Sequence, residues 1–279
     1  MASTLLTSTI FLPLGFGAAL ALVLMNRGQS EPLLAFVVAV SLLATYLLLE
    51  GPPGIPPVGA KQKLVYVFAA CVLAAAATAR LNWKRELASA VILSASLLWL
   101  GWGRFADPAK WSGSAFLIVT ILCTVLASRS LSSRSNEPFL WPVALLNFAI
   151  GSSLLSLLGK FVGFAQVMGA FAAWAGGFLL VSFALTLAKL DNPALPAFVL
   201  WLAMLIFVSG SFMVGLYAPD LNKNAYVILS LTLAMPVIGP EFAQLSSRTR
   251  PVAFALFTSV PALIAVLAAL LQPAISAGS

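Results

Sequence analysis

Glu241 is the acid set deepest in an apolar run, and the residues before it are helix breakers. Residues 225–245 read AYVILSLTLAMPVIGPEFAQL, long enough to cross a bilayer as a helix, yet Pro236, Gly239 and Pro240 interrupt them. Pro240 has no N–H to donate and Pro236 releases a second carbonyl one turn earlier, so the segment is expected to unwind. Exposed carbonyls beside a carboxylate can coordinate Na⁺ or hold a cationic solute. The simpler role is interfacial: Glu241 lies about one helical turn from the polar end of the run. There Arg248 and Arg250 follow and can pair with it.

The other polar groups at depth are amides and hydroxyls. Asn147, Ser152 and Ser153 lie in residues 138–158 and Gln166 in residues 161–188. Asn147 and Gly151 are four apart, so they share a helix face and favour a close helix contact. An amide there either bridges helices, at about 0.6 kcal/mol on average, or binds a neutral solute. Ser209-Gly210-Ser211, past the middle of residues 194–217, poses the same choice between a helix contact and a hinge. The candidate substrate-binding residues are therefore Asn147, Gln166, Ser209 and Glu241, with the helix break at Pro236, Gly239 and Pro240. Lys160, in a two-residue turn, is expected to snorkel toward headgroups.

What is missing counts against a familiar hydrolase, a zinc site or a proton relay of the usual kind, and leaves an intramembrane enzyme only Glu241 acting with a serine hydroxyl. The chain has no histidine, and it has no HExxH, GxSxG, CxxC or Walker sequence. Neither a metal site nor a cofactor is expected, and an enzyme is not the expected reading. Cys71 and Cys123 sit far apart inside apolar runs and read as small buried hydrophobes. The net charge of +7 comes from basic residues scattered through short loops, which excludes a nucleic-acid partner and points to lipid headgroups.

The elements that position these residues follow from composition. Only 8% of the residues are charged and 61% are hydrophobic, too few polar side chains to cover a water-soluble core. In hydrocarbon each backbone N–H and C=O must be paired within its own segment, so long apolar runs are helices. The fold class is all-α, a polytopic transmembrane bundle. Ten runs are legible: residues 1–25, 32–49, 63–80, 87–102, 111–127, 138–158, 161–188, 194–217, 225–245 and 251–271. Pro13, Gly15 and Gly17 predict a kink or a close contact in the first.

Residues 129–137, rich in serine and charge, form the midpoint linker between two five-helix halves, residues 1–137 and 138–279. Five crossings per half would turn the second half upside down, as in an inverted repeat. Loops after odd-numbered runs carry nine Lys and Arg and loops after even-numbered runs carry six. That bias places both termini outside the cytoplasm.

The longest connector, GPPGIPPVGAKQK, holds Pro52-Pro53 and Pro56-Pro57 and reads as a stiff extended surface segment. It is either a plain linker or a docking or gating loop. Gly51 to Val67, GPPGIPPVGAKQKLVYV, resembles the proline-rich loop and following helix of uncharacterised bacterial polytopic membrane proteins. The resemblance implies a bacterial inner membrane and brings no activity. Size and the five-plus-five count also resemble the drug/metabolite transporter superfamily in architecture only. A small secondary carrier for a neutral or weakly cationic solute is the first expectation. The alternative is a membrane-embedded scaffold or accessory subunit, with a homo-oligomer or a larger membrane complex as its partners.

Overall fold

A main chain in oil cannot borrow hydrogen bonds from solvent, and every regular element described in this protein is a helix. The computed structural model describes residues 7–25, 31–55, 57, 59–78, 85–105, 112–133, 137–190, 195–218, 221, 223–238, 245–246 and 249–271. A π-helical turn, Thr7–Phe11, leads into α1 (Leu12–Met25). There follow α2 (Glu31–Glu50), α3 (Ala60–Thr78), α4 (Arg85–Phe105) and α5 (Ser112–Ser133). The second half holds α6 (Leu140–Leu158), α7 (Val162–Leu187), α8 (Ala197–Tyr217), α9 (Lys223–Ser230), α10 (Met235–Ile238) and α11 (Arg250–Leu270).

Among the described residues each of the ten apolar runs contains helix, and the ninth holds it in two short pieces. Five helices are long and apolar enough to cross a membrane: Thr7–Met25, Leu140–Leu158, Val162–Leu187, Val199–Tyr217 and Arg250–Leu270. Phe36–Glu50, Val91–Gly103 and Ile118–Ala127 are shorter apolar stretches. Residues 129–133, expected in the midpoint linker, are helical instead, because α5 continues through Arg129 to Ser133. Ser130 and Leu131 are buried there, and no Gly or Pro stops the helix.

The ninth run breaks earlier than its proline. After α9 the chain tightens into a 3-10 turn, Leu231–Leu233, before α10. Pro236 offers no N–H to the Thr232 carbonyl and its ring crowds that carbonyl out of α geometry. Ala234 N–H therefore bonds the Leu231 carbonyl at 2.9 Å, and Val237 N–H bonds the Ala234 carbonyl at 2.9 Å. Gly239, Pro240 and Glu241 lie outside the described residues.

Helix α8 is the axis of the bundle. Residues 199–216 are all buried, enclosed by α2, α3, α4, α5, α6 and α7. Around this axis α1 lies along α7, α7 along α6, and α11 along α6 and α9. The partners do not exchange when the helices are shifted by five: α1 has a long seam with α7, and α6 has none of that extent with α2 among the described residues.

Outward faces are apolar. On α11, Leu256, Val260, Leu263, Leu267 and Leu270 are exposed in one stripe, while Phe254, Thr258, Ala262 and Ala265 are buried in the opposite one. An apolar stripe of that length calls for lipid or another apolar surface against it.

The α1–α7 seam rests on two glycines. A Cβ on Gly17 would collide with the Trp174 carbonyl oxygen, and one on Gly177 with the Leu14 carbonyl oxygen. Both obstacles are backbone, which cannot step aside. The expected contact at Gly17 is thus present, whereas Gly15 has open space beside it.

At the ends of α6 and α7 the chain turns through left-handed lysines, Lys160 at φ 57° and Lys189 at φ 58°. Phe161 N–H bonds the Ser156 carbonyl at 2.8 Å and Leu190 N–H bonds the Leu185 carbonyl at 3.0 Å, the six-to-one closure of a helix C-terminus. A lysine there meets the negative end of the helix dipole and offsets part of the left-handed cost of about 1 kcal/mol.

Gly177→Val is expected to lower stability by about 1–3 kcal/mol, the range for overpacking, while Gly15→Val changes little. Thermal unfolding in detergent compares the two; equal midpoints would mean that the close α1–α7 seam is not formed.

Candidate functional site

Glu50 is the last residue of α2 and Lys61 lies in the first turn of α3. Gly51, at φ 77°, ends α2 in the left-handed conformation that a side chain resists. Pro52 and Pro53 cannot continue the helix, the described residues 51–55, 57 and 59 are non-helical, and the two charges come back to one place. Lys61 Nζ donates to Glu50 Oε1 at 3.0 Å and to Oε2 at 3.1 Å. Tyr46 Oη donates to the Lys61 carbonyl at 2.7 Å and fixes the start of α3.

The pair sits against the first turn of α7. Lys61 Nζ lies 5.6 Å from the Phe161 ring centroid and 6.0 Å from that of Phe164, within cation–π reach. A Cβ on Gly163 would come within 2.8 Å of Lys61 Nζ and 3.2 Å of Glu50 Oε1. The glycine leaves the notch that the pair fills, and the positive end of the α7 dipole favours the carboxylate there.

Beside the pair opens a cavity of about 440 Å³. Its walls include Tyr46, Pro52, Pro53, Val65, Met213 and Tyr217, together with Glu50, Lys61 and Gln62. The proline-rich connector is part of its wall. Tyr217 Oη donates to the Leu100 carbonyl at 2.6 Å and pins the end of α8 to α4. A volume of this size suits a small organic molecule.

Inward from Tyr46 the interior is filled by aromatic rings. Tyr46 meets Phe68 edge-on at 5.8 Å, Phe68 meets Phe171 at 6.0 Å, and Phe171 stacks on Phe207 at 5.1 Å. Trp174 adjoins Phe207 at 6.4 Å, and its Nε1 donates to Ser41 Oγ at 3.0 Å. Near the opposite end of α7 is a second cavity of about 360 Å³, lined by Glu137, Thr186, Lys189 and Arg250 among others. There Arg250 Nη1 lies 3.5 Å from Glu137 Oε1. Among the described residues no cluster of three His, Cys, Asp or Glu could hold a metal, and Cys123 is a buried free thiol.

Of the four residues singled out from the sequence, the three that are described, Asn147, Gln166 and Ser209, are not gathered at one place. Asn147 Nδ2 donates to the Ala255 carbonyl at 3.0 Å and to Thr258 Oγ1 at 2.8 Å, joining α6 to α11. Four residues on, a Cβ at Gly151 would lie 3.2 Å from that of Ala262; the shared face of Asn147 and Gly151 is a helix seam. Ser152 and Ser211 pair through their hydroxyls at 2.7 Å, joining α6 to α8, and Ser153 Oγ donates to the Ala165 carbonyl at 2.7 Å. Gln166 falls on the less buried stripe of α7 with Val162 and Leu180.

Ser209 is fully buried, and its Oγ has no hydrogen-bond partner among the described residues. It lies one helical turn deeper than Met213, which lines the larger cavity. Glu241 lies outside the described residues. Glu50, which lines the larger of the two cavities, does not stand out in the sequence, because it ends an apolar run. Its signal is the acid and base that bracket the proline pairs, Glu50 before them and Lys61 after.

No protein-family model, curated protein or solved structure matches this chain.

Asn147→Leu removes two hydrogen bonds but leaves Thr258 Oγ1 donating to the Phe254 carbonyl. The expected loss is about 0.6–1.7 kcal/mol, read from unfolding midpoints in a double-mutant cycle with Thr258→Val. A coupling energy of zero would remove Asn147 from the α6–α11 seam.

Proposed function

We propose that this protein is an integral membrane carrier that takes a small neutral or weakly cationic solute into the cavity beside Glu50 and Lys61. The observation that carries the reading is the cavity itself. It is of ligand size, carries aromatic walls and a half-buried ion pair, and opens at one end of a bundle whose outer faces are apolar. Ten crossings are part of the proposal, with α9, the 3-10 turn and α10 belonging to the ninth. The host is taken to be a bacterial inner membrane, on the loop-charge bias and the likeness of residues 51–67. With ten crossings, the cavity faces away from the cytoplasm. No internal repeat is needed for this reading.

A second reading has its own support. The ring column from Tyr46 to Trp174 leaves α8 enclosed by solid packing, as suits a membrane-embedded scaffold or accessory subunit of a larger complex. A carrier must rearrange this column to open a path; a scaffold need not.

Two measurements test the proposal. Reporter fusions at both termini should fall on the same, non-cytoplasmic side; opposite sides would exclude ten crossings. In liposomes, uptake screened across neutral and cationic solutes should find at least one substrate. Glu50→Gln should then reduce its uptake by about tenfold or more at equal protein content, the loss expected for one charge-assisted contact. Uptake of no solute by well-folded protein would favour the scaffold.

A further inference from the structure

The surroundings of the Lys61 ammonium are those that an ammonium ligand requires. A carboxylate presents both oxygens, at 3.0 and 3.1 Å. Two aromatic rings face the charge at 5.6 and 6.0 Å. A glycine removes the one Cβ that would intrude. The carboxylate is the more enclosed partner: the Glu50 side chain is 19% exposed and that of Lys61 38%. Glu50 is held at a helix end, while Lys61 reaches the site on a flexible stem. Open volume adjoins the site, walled by Tyr46, Val65, Met213 and Tyr217.

We propose that Glu50, Phe161 and Phe164 form an organic-ammonium site and that Lys61 is its tethered occupant, displaced when the ligand binds. The ligand's cationic nitrogen takes the place of Nζ and its apolar body lies in the cavity. A carboxylate buried on its own is costly, and Lys61 covers it while the site awaits a ligand. The exchange conserves charge at the carboxylate, so no proton has to move. It also frees Lys61, whose backbone carbonyl anchors Tyr46 and whose chain leads directly into the proline-rich connector. This inference narrows the solute class of the carrier reading and rests on it only for transport; binding stands separately. The ammonium could belong to a free amine or to a phospholipid headgroup, since the chemistry at Glu50 is the same.

The test is a calorimetric titration of purified full-length protein in phosphatidylglycerol nanodiscs, with empty nanodiscs as the blank. The probes are benzylammonium and its neutral isostere benzyl alcohol. Wild-type protein should bind the ammonium saturably and the alcohol at least about tenfold more weakly. Lys61→Met, or Lys61→Gln if the first does not purify as a single folded species, should tighten ammonium binding by about tenfold, because the built-in competitor is gone. Glu50→Gln should abolish the preference for ammonium over alcohol.

Equal binding of the two probes by wild-type protein overturns the site without recourse to any variant. Unchanged or weaker ammonium binding in the lysine variants overturns the role of Lys61 as occupant. Nanodiscs of phosphatidylethanolamine, compared with phosphatidylglycerol in salt high enough to screen the anionic surface, separate the sources: a headgroup occupant weakens the apparent affinity for benzylammonium there, and a free-amine site leaves it unchanged. Ammonium binding without uptake in liposomes would keep this site and remove the carrier; uptake without ammonium binding would do the reverse.

Discussion

Helix α8 is enclosed on every side, and the rest of the bundle is arranged by that enclosure. Inside a bilayer its apolar side chains gain little by leaving lipid for protein, since both are hydrocarbon. What holds six helices around it is close packing and hydrogen bonding between particular side chains. A helix that is apolar all round also has no preferred face. Its rotation and register therefore depend on its few polar groups: Ser211 against Ser152, and Tyr217 against the Leu100 carbonyl.

The same logic runs through the outer seams. Gly17 and Gly177 let α1 and α7 approach until backbone meets backbone, and Asn147 ties α6 to α11 through one amide. Hydroxyls along the helices turn back on their own carbonyls, as Thr45 does on Ser41 and Thr124 on Thr120. Among the described residues few buried side-chain polar atoms are left without a partner, Ser209 Oγ and Thr232 Oγ1 among them, and the ring column runs through the interior.

Charge accordingly sits where helices end. An isolated carboxylate in the hydrocarbon would cost several kcal/mol, so Glu50 lies at the close of α2, paired and partly exposed, and Glu137 lies just ahead of α6 near Arg250. The proline pairs make the first of these arrangements into a cavity. They prevent α2 and α3 from joining by a tight turn, and the connector becomes a wall instead. Irregular backbone, set where water and headgroups can satisfy it, is thus what gives the larger cavity its opening.

Much of this was legible from residue types. Apolar runs located most described helix ends to within a few residues, because a main chain without water must bond within its own segment; the end of α5 and the broken ninth run are the exceptions. Pro236 announced the break in the ninth run, and Asn147 with Gly151 announced a tight seam, since both follow from local geometry. Ser130 and Leu131 were not foreseen in helix, because their burial depends on neighbours far along the chain. Nor could the sequence say which run would be central: α6, α7 and α8 read alike, and of the three only α8 has an unbroken buried stretch, residues 199–216.

The cavity was hidden for the same reason. Glu50 and Lys61 looked like unremarkable ends of two spans until the fold placed Phe161, Phe164 and Gly163, from a distant helix, around them. The sequence by itself determined that the chain would be helical and oily, a consequence of local hydrogen bonding and solvent. Only the tertiary structure decided which groups share a site, because that depends on rotations and crossings that uniformly apolar helices do not encode.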